Sequence, residues 1–114
     1  MDKNKKHVII GLVVLISEIL LLYYLWENNT ILTILLSAIS FLVLINFSNM
    51  QERILYFACF FLGPAFDLIL VPRGVWTYAN PSIFGVPIWL PVTYGLGAVM
   101  IVKIATAVSK MASR

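Results

Sequence analysis

Charge is what this sequence has least of. Only 11% of its 114 residues are charged, where a soluble domain carries about a quarter. With 61% of positions hydrophobic and the apolar residues gathered into long runs, a bilayer rather than water is the expected solvent. The net charge of +3 is small and scattered, so no nucleic-acid partner is expected and the basic residues read as topology signals. Cys59 is the single cysteine and stands in an apolar run, which excludes an intrachain disulfide. His7 is isolated in a basic N-terminal segment. Metal-ligand spacing, a nucleophile–base set and a phosphate-binding glycine loop are all missing, so neither a metal nor a cofactor is expected.

Proline and glycine are also missing from most of the chain. All five prolines and five of the six glycines fall within residues 63–97, GPAFDLILVPRGVWTYANPSIFGVPIWLPVTYGLG, together with Asp67, Arg73, Trp76 and Trp89. What remains on either side reads as apolar helix. The pattern predicts an all-α integral membrane bundle of four transmembrane helices, one domain over residues 1–114, with spans at about 8–26, 31–47, 54–71 and 90–108. Continuous rather than alternating apolar runs exclude a membrane barrel. The N-terminal run has the flanks of a secretory signal but no small-residue cleavage site, and it ends in Tyr23, Tyr24, Leu25 and Trp26, so a retained first span is expected. Thr33, Ser37 and Ser40 recur at helical spacing on the second span and read as a packing stripe. Gly63-Pro64 is expected to interrupt the third span and kink it near Phe60, because proline removes a donor and crowds the carbonyl four residues back. Pro72 ends that span. Residues 73–89 form a broken outer segment, and Pro91 suits the first turn of span four.

Lys3, Lys5, Lys6, Arg53, Lys110 and Arg114 fall on one side of this arrangement, and Arg73 stands alone on the other. By the positive-inside rule both termini are expected to be cytoplasmic, in a plasma (inner) membrane. Trp26, Trp76 and Trp89 then reach the outer interface with Tyr78. An aromatic belt accounts for Trp26 without a ligand; the other two stand in the broken segment and are candidates for ligand contact.

Three ionisable residues fall inside the spans, each costing roughly 2.5–3.5 kcal/mol at a span centre. Lys103 lies near the end of span four, where its stem can snorkel. Glu18 sits mid-span, about 12 Å below Trp26, and Asp67 roughly 6 Å below Val71, by helix rise. Cys59, Gly63 and Asp67 share one helix face, with a small residue beneath the carboxyl. The bland reading has both carboxyls satisfied by hydroxyls, or Asp67 clasped to Arg73. The functional reading puts them in one pocket, where dry surroundings disfavour the charged form and leave one acid and one base. Such a pair between aromatic walls suits acid-triggered chemistry on a hydrophobic alkene, or the binding of an organic cation.

Asp67, Gly74, Trp76, Tyr78, Asn80, Pro81, Gly85 and Pro87 form an order that resembles a segment of small integral-membrane carotenoid-pathway proteins, the lycopene cyclase domains and the related carotenoid hydratase-like proteins. The resemblance covers about a third of the chain. It implies an isoprenoid-handling membrane fold, although the paired acidic residues of the cyclases are replaced here by Ile88, Trp89 and Leu90. Glu18 in the first of four short spans is similar to the small multidrug-resistance transporters, where that glutamate binds protons or a cationic drug. The expected function is therefore a pocket for an isoprenoid-like or other lipid, with Glu18 and Asp67 as catalytic candidates and Arg73, Trp76, Tyr78, Asn80 and Trp89 as binding candidates. The alternatives are a proton-coupled transporter of organic cations and a structural or assembly subunit. The expected partners are the lipid bilayer, a lipid ligand, and either a second copy or another membrane protein.

Overall fold

The computed structural model describes residues 2–82 and 85–113. Arg114, counted above in the charge asymmetry, and Ile83 and Phe84 of the outer run lie outside the described residues. The fold consists of α1 (Lys3–Leu25), α2 (Asn29–Asn46), α3 (Met50–Leu70) and α4 (Leu90–Ala112). All four are long and apolar enough to cross a membrane, which makes the chain an all-α integral membrane protein. The long axis of 47 Å matches a bilayer of about 40–45 Å with its headgroup layers. The outward faces carry Ile9, Leu12, Val13, Ile16 and Ile19 on α1, and Phe57, Phe61 and Phe66 on α3, all well exposed. In water such faces would be sticky patches; against lipid tails they are the required surface.

Polar caps set where the helices begin. Asn28 accepts a hydrogen bond from the Ile31 amide at 3.1 Å and starts α2. Asn49 and Glu52 form a reciprocal capping box at the start of α3, with Glu52 N donating to Asn49 Oδ1 at 2.8 Å and Asn49 N to Glu52 Oε1 at 3.2 Å. Glu52 and Arg53, expected in a connection, therefore belong to the first turn of α3. The expected interruption at Gly63-Pro64 does not occur. Pro64 is buried inside a continuous α3, since it deletes one backbone donor while the bonds on either side persist, a loss that packed membrane helices tolerate. The helix stops further on. Val75 N donates to Leu70 O at 3.3 Å and Gly74 N to Val71 O at 3.0 Å, the paired bonds of a Schellman cap, and Gly74 supplies the positive φ of 81° that this cap requires.

α4 is the hub. It packs most extensively on α3 and α1 and also touches α2. Its Leu96, Val99 and Met100 are fully buried with Val43 and Tyr56, and its Val92 joins Leu32 and Leu36 in a second cluster nearer the outer segment. Small residues permit the close approach. A Cβ on Gly11 would stand 2.4 Å from Ile104 of α4, and one on Gly95 would meet the Tyr56 ring and backbone oxygen at 2.9 Å. Since a backbone oxygen cannot swing aside, Gly95→Val is expected to destabilise the bundle by about 1–3 kcal/mol, the usual cost of overpacking. Unfolding in mixed micelles reads this, and an unchanged transition would contradict the α3–α4 seam described here.

Candidate functional site

Asp67 has no exposed surface at all. It lies on α3 one turn above Gly63, facing α4, and its Oδ2 accepts two phenolic hydrogen bonds: from Tyr78 at 2.8 Å and from Tyr94 at 3.1 Å. Tyr78 comes from the outer segment and Tyr94 from the second turn of α4, so one carboxyl oxygen joins three parts of the chain. Gly63 makes this possible. A Cβ there would sit 2.4 Å from the Tyr94 ring, so only a bare backbone lets the ring lie flat on α3 and aim its hydroxyl at Asp67. Burial, followed by the Asp67 acceptor, pushes the Tyr78 hydroxyl above the usual phenol range. It therefore remains a donor. Asp67 Oδ1 is buried without a partner.

Tyr94 also lines a groove of about 310 Å³ between α3 and α4, with Cys59, Leu90, Thr93, Gly97 and Ala98 among its walls. The walls are apolar except at Thr93 and Tyr94, and Thr93 Oγ1 is buried without a hydrogen-bond partner. The groove thus offers an apolar trough, joined to Asp67 through the Tyr94 side chain and within the size range of small-molecule sites.

Glu18 occupies a different place. It is 5% exposed, and a methyl group on Gly97 would stand 3.9 Å from its Oε2. Ser40 of α2 and Tyr56 of α3 lie around it, with the Tyr56 hydroxyl in electrostatic reach of both. All four helices therefore contribute to the surroundings of this carboxyl, while Glu18 Oε1 remains unpartnered. No hydrogen bond joins Glu18 to Asp67. Their surroundings share α3, which carries both Tyr56 and Asp67, and α4, where Tyr94 and Gly97 are three residues apart and both line the groove.

The other candidates are distributed unevenly. Tyr78 touches Asp67 directly, and the Trp76 indole lies beside the Tyr78 hydroxyl on an exposed stretch. Arg73 is exposed beyond the end of α3, and the bonds to Asp67 come from tyrosines instead of this guanidinium. Asn80 and Trp89 spend their polar atoms in a clamp. Asn80 Nδ2 donates to Trp26 O and Glu27 O, both at 3.0 Å. Asn29 Nδ2 donates back to Asn80 O at 2.9 Å and to Ser82 Oγ at 2.6 Å, and Trp89 Nε1 donates to Asn29 Oδ1 at 3.1 Å. The outer segment is thereby fixed over the α1–α2 turn. At the opposite end, Lys103 does not snorkel free: it is 95% buried and pairs with Glu52 at 3.1 Å, because the capping box brings that carboxylate within reach of α4.

Sequence reasoning missed Tyr94, Asn29 and Thr93. For Tyr94 a signal existed: its depth, four residues into span four, matches that of Asp67, four residues from the end of span three, and Gly63 leaves space for a ring. For Asn29 there was none, since its partners are more than fifty residues away. No family model, curated protein or solved structure matches the chain. Tyr94→Phe is expected to remove one interhelical bond and about 0.6–1.7 kcal/mol of stability, the range for such bonds in membranes, and Gly63→Ala should act in the same direction by displacing the ring. Equal unfolding midpoints for wild type and both variants would contradict the described role of the Tyr94–Asp67 bond.

Proposed function

We propose that this protein holds an isoprenoid-like or other lipid in the α3–α4 groove, with the polar end of the lipid at Thr93 and Tyr94. The observation that carries the reading is the junction of the apolar groove with the fully buried Asp67 through Tyr94. Thr93 Oγ1 is buried behind the groove wall without a partner; a change of χ1 rotamer, which threonine in a helix allows, would turn it toward a hydroxyl or carbonyl at the end of a hydrophobic chain, and that pairing favours binding because unpaired buried polar atoms are costly. The resemblance of Asp67, Gly74, Trp76, Tyr78, Asn80, Pro81, Gly85 and Pro87 to carotenoid-pathway membrane proteins supports an isoprenoid as the lipid class.

The groove supports holding a lipid more directly than transforming one. Acid–base partnership between Glu18 and Asp67 has no matching support, since Asp67 reaches the groove through Tyr94 while Glu18 lies against Gly97 among Ser40 and Tyr56. Asn80 and Trp89 act in this reading as the clamp that presents Tyr78, and Arg73 and Trp76 are exposed beyond the groove.

Mass spectrometry of lipid retained through mild-detergent extraction tests the proposal. One hydrophobic species is expected to co-purify with the wild type. Ala98→Phe, which fills the groove, should strip it while leaving the helical circular dichroism intact, and Thr93→Val should weaken its retention. Equal retention by wild type and Ala98→Phe would overturn the reading.

A further inference from the structure

The end of the bundle that carries both termini is built from different chemistry. Two cavities of about 280 and 260 Å³ open there, and Lys3, His7, Asn49, Glu52 and Lys103 line both. Lys110 completes the first and Lys6 the second. Four lysines thus surround one carboxylate. That carboxylate is already engaged, because Glu52 Oε1 accepts from both Lys103 Nζ and Asn49 N. The ion pair acts as a partition: it is largely buried on both sides, at 5% and 12% exposure, and it gives the two cavities a common wall. Asp2 caps α1 and lines neither cavity. The remaining lysines project from α1 and α4 across a gap whose floor also offers N–H donors from Asn49 and, in the first cavity, Asn4 and Gln51.

We infer that these paired cavities form a binding site for a phosphate group, supplied either by the headgroup of an anionic phospholipid or by a small soluble phosphate. A phosphate brings several acceptor oxygens and one or two negative charges, which this ring of ammonium groups and amide donors matches. The setting favours such an occupant, because the site lies where helix ends meet the headgroup layer, and basic pockets between membrane helices hold phosphorylated headgroups there. A merely solvated basic belt would spread its lysines without convergence. Here Lys3 and Lys110 come from opposite ends of the sequence to the first cavity, and Lys3 and Lys6 share the second, whereas Lys5, on the same turn of α1, lines neither cavity. The inference is independent of the lipid groove at the other end.

The test is native mass spectrometry of the full chain in neutral detergent. It is titrated separately with short-chain phosphatidylglycerol, diacylglycerol bearing the same tails, inorganic phosphate and glycerol 3-phosphate. The headgroup source is supported if phosphatidylglycerol binds in preference to diacylglycerol. In that case Lys3→Gln and Lys110→Gln should each weaken binding about fivefold, and Lys5→Gln should leave it unchanged. Binding of the soluble phosphates with the same lysine dependence identifies a soluble occupant of the same site. Equal binding of phosphatidylglycerol and diacylglycerol with no uptake of soluble phosphate overturns the inference. So does a loss at Lys5→Gln equal to that at Lys3→Gln, which would mark a diffuse charge effect. All three lysines are exposed on their helices, so the variants remain foldable.

Discussion

A single buried carboxyl oxygen, Asp67 Oδ2, ties α3, α4 and the segment between them together at one end of the bundle. Taking a carboxyl into the hydrocarbon layer costs several kcal/mol unless donors meet it, and here two phenols do. One comes from α4 and fixes the α3–α4 seam; the other comes from the loop that connects those helices and draws it inward over the bundle. Each of these contacts depends on an absence. Gly63 lacks the side chain that would hold Tyr94 away, and the Schellman cap at Gly74 turns the chain so that Tyr78 can fold back four residues later. The clustering of glycine and proline around Asp67 is thus the geometry this carboxyl requires.

The opposite end depends on a second charged device of a different kind. Lys103 and Glu52 neutralise one another in a largely buried pair, and Glu52 also closes the capping box of α3. Between the two devices lies the Glu18 region, where four helices meet around a carboxyl with one unpartnered oxygen. The bundle therefore carries three polar levels along α4: at Tyr94, at Gly97 and at Lys103. α4 is the most buried of the four helices, and it meets α3 at all three levels, through Asp67, Tyr56 and Glu52.

Much of the fold was legible in the sequence. Four apolar runs separated by Glu27-Asn28-Asn29-Thr30, by residues 48–53 and by the proline-rich stretch admit few other arrangements, and the four helices follow them. Proline 64 misled because helix propensity learned in water overstates its effect in a packed membrane helix. Helix ends at the termini side extend past the apolar runs because Asn49 and Glu52 cap in polar surroundings that hydropathy does not register. For the site, Glu18 and Asp67 stood out as charges in an apolar setting, and both are buried. Of the two phenols that meet Asp67, Tyr78 stood out and Tyr94 did not. Tyr94 carries no charge to mark it inside an apolar span, and the Asn29–Asn80 clamp joins two polar residues whose proximity only the packed bundle creates.

The central claim is that the α3–α4 groove beside Tyr94 is a lipid seat, and Cys59 offers a direct reporter. It is the only cysteine in the chain, it is half-buried, and it lines that groove. The decisive measurement is the rate at which a membrane-permeant maleimide alkylates Cys59, with and without an added isoprenoid alcohol. The account predicts that the alcohol slows alkylation in the wild type and has no effect when Ala98→Phe already fills the groove. Alkylation at the same rate in wild type with and without the alcohol would contradict it.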